Sequence, residues 1–70
     1  MTTEQIEKLA KYIVYLYGRM NTYNAERNMD LVAWVSAKLE AVREITNIFD
    51  CRGEVYAKVE ELRGWNYGNV

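Results

Sequence analysis

Apolar residues recur along this chain at spacings of three and four, with polar residues between them. Ile6, Leu9, Ile13, Leu16 and Met20 form the first such series. That spacing keeps one face of an α-helix apolar, because successive residues turn by about 100°. Ala10 and Tyr17 flank the same face. Thr2 followed three residues later by Gln5 is a capping-box pattern at the start of this series. Asn21-Thr22-Tyr23-Asn24 is turn-prone and marks its end. The spacing predicts a first helix over about 3–22.

A second series contains Leu31, Val35, Leu39, Val42 and Phe49, with Val32, Ile45 and Thr46 beside it. Asn24, Asn28 and Asp30 all offer N-caps, and the predicted helix covers about 25–49. Cys51, Val55, Val59 and Leu62 make a third stripe, with Asp50 as its expected N-cap and Gly64 as its expected C-terminal stop. The third helix is predicted over about 51–63, followed by an aromatic tail, 64–70. Proline is absent, so nothing interrupts long helices. The expected fold is all-α: one domain over 1–70, a compact three-helix bundle that assembles as a homo-oligomer through its long second helix.

The assembly expectation comes from an apolar surplus on helix two. With Val35 at zero, Ile45, Trp34, Ala41 and Ile48 lie about 80° to 140° to one side, and Ala37 borders them. A surface helix normally shows an apolar arc of a little over 100°. Two readings account for the excess. Helix two is central and packs both neighbours, or Trp34, Ala37, Ala41, Ile45 and Ile48 form a subunit interface. Tryptophan is enriched in interface cores. A chain of 70 residues with one cysteine has no internal disulfide to supplement a small core. Both points favour the interface, in a dimer or a higher oligomer.

Helix one carries the candidate recognition surface. Lys8, Lys11, Tyr12, Tyr15, Arg19 and Tyr23 fall within about 120° of one another, outside the core stripe. Tyrosine and arginine are favoured at binding hot spots, and cations beside tyrosines can hold a phosphate and stack a base. Arg27, Trp65 and Tyr67 are the second-choice ligand residues. The competing account is ordinary: tyrosines shield a core edge and lysines solvate a helix.

Composition narrows the function classes. Half of the residues are hydrophobic and 27% are charged, which separates the chain from disordered tails. There is no histidine, so the commonest general base and the commonest zinc ligand are missing. Neither Cys51 nor Ser36 has a histidine to activate it, and Cys51 lies on the apolar stripe as a buried structural thiol. No phosphate-binding or dinucleotide-binding glycine motif occurs. No catalytic residue, metal site or cofactor is expected. The net charge of −1 and the acidic residues of helix three disfavour nucleic acid as a partner. No run approaches a membrane span and the N-terminus has no signal-peptide pattern. The cytosol is the expected compartment.

These readings converge on a non-enzymatic binding protein. Its expected ligand is an anionic small molecule, most readily a nucleotide-type signal, sequestered at basic and aromatic sites next to subunit boundaries. The alternatives are a protein-binding inhibitor or adaptor using the same face of helix one on a host protein, and a structural oligomerisation module. In its size, its frame from Met1 to Val70, its helical content and its lack of catalytic residues, the chain resembles small helical counter-defence proteins encoded by bacteriophages. That resemblance implies inhibition of a defence nuclease or sequestration of a cyclic nucleotide, in the host cytosol. No motif carries it, so it assigns no residue.

Overall fold

The computed structural model describes residues 1–68, with side chains through Gly64. Three α-helices account for nearly all of them: α1 over Thr3–Ala25, α2 over Met29–Ile48 and α3 over Arg52–Gly68. Among the described residues the protein is all-helical, with the three helices packed together.

The helix ends follow from local hydrogen bonding. At the start of α1 the capping box forms as expected. The Thr2 hydroxyl accepts from the Gln5 backbone N–H at 3.1 Å, and the Gln5 side chain accepts from the Thr2 N–H at 2.8 Å. Asn28 caps α2, its side chain accepting from the Leu31 N–H at 3.3 Å.

Both turns use one backbone device. After α1, the Arg27 N–H donates to the Asn24 carbonyl and the Asn28 N–H to the Tyr23 carbonyl. After α2, the Asp50 N–H donates to Asn47 and the Cys51 N–H to Thr46. Each is a Schellman closure, which needs a left-handed residue just past the helix. Arg27 and Asp50 occupy those positions at φ 57 and 53. Glycine usually fills such a position, because a Cβ costs energy there.

These closures correct four expected boundaries. α1 runs on to Ala25, because the Schellman bonds close there and not at the asparagines before it. α2 therefore begins at Met29, with Asn28 taken from the candidate caps and 25 too early a start, and it stops at Ile48. Asp50 closes α2 instead of capping α3; the first α3 hydrogen bond, from the Val55 N–H, is accepted by the Cys51 carbonyl. Gly64 does not end α3, which continues through it to Gly68. A helical glycine costs only about 1 kcal/mol relative to alanine, too little to stop a helix. Residues 65–68 of the expected tail thus have helical backbone, while 69 and 70 lie outside the described residues.

Helix one is the central element. It packs against both α2 and α3, whereas α2 and α3 meet each other sparsely. This overturns the reading in which helix two is central. The core joins Ala10 and Ile13 of α1, Val42 of α2, and Cys51, Val55 and Val59 at and along α3. Leu16, Val35 and Thr46 are also buried. Thr46 donates its hydroxyl to the Arg43 carbonyl at 2.7 Å, so its burial leaves no polar group unsatisfied. Phe49 departs from its expected place on the core stripe and is 58% exposed. It is the C-cap residue of α2, where the chain leaves the helix, so its side chain no longer follows the stripe.

The three helices splay into a slab of 37 × 31 × 15 Å. A triangular bundle of three such helices would have one long dimension and two short ones. The radius of gyration is 12.8 Å, against about 11 Å for a compact domain of this length.

Two predictions follow from the thin core and the helix interiors. Ile13→Ala, at a fully buried position, should cost about 2–5 kcal/mol, and urea unfolding should show most of the stability gone. Gly18→Ala should raise stability by about 0.5–1 kcal/mol. Gly18 lies within α1 and a Cβ there meets nothing within 4 Å; a fall in the urea midpoint would contradict this.

Candidate recognition faces on helices one and two

The first candidate face lies on α1. Lys8, Lys11, Tyr12, Tyr15 and Arg19 are all exposed, and Tyr23 is half-buried. Tyr15 is 59% exposed, too open to act as a core shield. Tyr12 and Tyr15 lie side by side, with ring centroids 6.3 Å apart and planes 22° from parallel. Arg19 reaches one turn onward and donates from Nη2 and Nε to the Tyr23 hydroxyl at 2.7 and 3.2 Å. The hydrogen bond to Tyr23 raises the Arg19 pKa above its ordinary value, and an arginine is charged at any working pH in either case.

The cations of this face divide into two groups. Lys8 pairs with Glu4 at 3.2 Å and Lys11 with Glu7 at 3.4 Å. In both pairs the glutamate precedes the lysine by four residues, the favourable order on a helix. Such exposed pairs contribute only about 0.2–0.5 kcal/mol each, but they offset the local positive charge. Among the described residues Arg19 has no carboxylate within ion-pair distance, and neither has Arg27 in the turn that follows α1. The cations of this region without a close ion pair therefore sit toward the C-terminal end of α1, where Glu26 still bears on Arg19 electrostatically. Trp65 and Tyr67 were expected to join this site; their side chains lie outside those described.

The second candidate face lies on α2. Trp34, Ala37, Ala41, Ile45 and Ile48 are all exposed, with Trp34 at 53% and Ile48 at 78%. Val35 and Val42, on the other side of α2, are buried, whereas among the described residues this strip stays exposed. Lys38 lies along one edge, its ammonium 4.0 Å from the Trp34 ring centre. A cation over an indole face is favourable by about 0.5–1 kcal/mol at an exposed site.

A shallow groove between α1 and α2 was not anticipated from the sequence. It has a volume of about 300 Å³ and is lined by Tyr17, Met20, Ser36, Leu39, Glu40 and Arg43. Met20 and Leu39 belong to the two predicted stripes and Tyr17 flanks the first, while Ser36, Glu40 and Arg43 are polar residues of helix two. Only the pairing of α1 with α2 brings them together. The Arg63 guanidinium lies over the Tyr17 ring, 5.0 Å from its centre.

Cys51 is buried, as its place on the stripe implied, with Sγ 3.5 Å from the Met1 thioether. Among the described residues, no group of three acidic, cysteine or histidine side chains is placed to hold a metal ion. None of their helices is long and apolar enough to cross a membrane. No known family, no curated protein and no solved structure matches this chain.

The exposure of the α1 face sets a test of what it does for the fold. Tyr15→Ala and Arg19→Ala should each change stability by no more than about 0.5 kcal/mol. A loss above about 2 kcal/mol in thermal unfolding would make these side chains part of the scaffold.

Proposed function

We propose that this chain is a non-enzymatic binding protein that works through the aromatic and cationic face of α1 and assembles as a homo-oligomer through α2. The observation that carries the recognition part is the exposure of Lys8, Lys11, Tyr12, Tyr15 and Arg19 together on one side of the central helix. Rigid amphipathic rings beside a guanidinium are the residue types that dominate binding hot spots. The absence of histidine from all 70 residues supports binding over catalysis.

The shape of the face favours a macromolecular partner. A single helix presents a convex surface, which suits a groove or flat patch on another protein better than it encloses a small molecule. An inhibitor or adaptor acting on a host protein, such as a defence nuclease, fits this geometry. One observation keeps a second reading in place. Arg19 has no carboxylate within ion-pair distance among the described residues and follows Tyr15, one of the paired rings, by one helical turn. An anionic ligand such as a nucleotide would find a charge and a stacking surface there, with the remaining walls supplied by another subunit. The resemblance to phage counter-defence proteins supports either form, sequestration of a signal or inhibition of an enzyme, in the host cytosol.

Calorimetric titration with a panel of mono- and cyclic nucleotides separates the two readings. The ligand reading expects saturable heat with the native chain and at least about a tenfold loss of affinity for Arg19→Ala. Titrations without heat for the whole panel would remove the ligand reading and leave the protein partner.

A further inference from the structure

We infer that a second copy of this chain covers the exposed strip of α2, with the two α2 helices crossing at Ala37 and Ala41, so that the working particle is a dimer presenting two α1 faces. This rests on the homo-oligomer reading above and gives it an order and a point of contact.

The strip has the form of a helix-pairing seam. Trp34, Ala41 and Ile48 stand seven residues apart, with Ala37 and Ile45 between them. At about 100° per residue all five fall within an arc of about 80°. The seam is about 21 Å long at 1.5 Å per residue. Between Leu31 and Ile48 no charged residue falls inside this arc. Lys38 borders it on one side and Glu40 and Glu44 on the other.

The surface is complementary to itself. A twofold interface uses the same patch on both subunits, so the patch must supply both projections and hollows. Here bulky Trp34 and Ile48 stand at the ends, and two alanines one turn apart make the middle. Alanine at a crossing point lets helix axes approach toward the short end of the usual 8–10 Å range. A face made only of projections would instead suit a grooved partner.

Area and shape point the same way. The chain exposes 5103 Å², whereas a folded monomer of this mass exposes about 4500 Å². The chain as a whole thus carries roughly 600 Å² of surface beyond that of a compact monomer, with the α2 strip part of it, against the ~800 Å² per partner of a standard interface. The radius of gyration, larger than that of a compact domain of this length, reflects the same flat shape. The α1 face belongs to a different helix, so pairing through α2 leaves Tyr15 and Arg19 exposed on both subunits. Two such faces in one particle raise the effective concentration for a partner that itself carries two sites.

Sedimentation of the native chain, combined with single-cysteine cross-linking in a Cys51→Ala background, tests this. The expected results are a particle of twice 8.2 kDa and rapid disulfide formation at position 37 or 41. Oxidation of Ala37→Cys or Ala41→Cys should proceed at least about tenfold faster than that of Ser36→Cys, because a disulfide requires Cα atoms about 4.4–6.8 Å apart. Ala41→Glu should keep the helical circular dichroism and yield a monomer. A dimer with equal oxidation rates at 36, 37 and 41, or one that survives Ala41→Glu, overturns the crossing point while leaving self-association intact. A monomeric native chain at high micromolar concentration overturns the dimer and the homo-oligomer reading together.

Discussion

The fold depends on the burial of one face of α1 against two neighbours at once. Ala10, Ile13 and Leu16 are the residues of that helix that reach full burial. Ala10 and Ile13 share a core with Val42 of α2 and with Val55 and Val59 of α3. Because α2 and α3 barely touch, their positions are set by α1 and by a turn of three residues between them. No aromatic side chain is fully buried among the described residues, and the largest that is fully buried is Ile13. The hydrophobic stabilisation is correspondingly modest, and each of these aliphatic residues carries a large share of it.

A central α1 also explains what is left exposed. A helix that serves two neighbours with one face has its opposite face free, and here that face bears the tyrosines, the lysines and Arg19. A lateral helix such as α2 needs only one apolar face for the chain's own core. Its second apolar strip is then left exposed among the described residues. The two candidate surfaces are thus complementary results of one packing choice.

Much of this was legible in the residues, because helical periodicity is a local property. The core stripes on α1 and α3 appear where spacing puts them, with Ile13, Leu16, Cys51, Val55 and Val59 buried. The capping box of Thr2 and Gln5 was readable for the same reason. The exposed α1 face was also legible, since Tyr15 and Arg19 lie opposite the stripe. The choice of central helix was not. A wide apolar arc on α2 is what a helix between two neighbours would show, and only the observed packing gives that central place to α1. The turns were misread because Arg27 and Asp50 occupy left-handed positions that glycine or asparagine usually signals. The groove lined by Tyr17, Leu39 and Arg43 has no local signature at all, being made by the register of one helix against another.

The two tight turns have a kinetic consequence. A closure of three residues between α1 and α2 makes their pairing a local event, so a helical hairpin can form on a microsecond scale without a long loop to close. The α1–α3 contacts span the whole of α2 in sequence, so their formation carries the larger loop-closure entropy. A nascent chain still lacking α3 would already hold both members of the α1–α2 pair, and with them the strip of α2 through which, on the dimer proposal, two copies would meet.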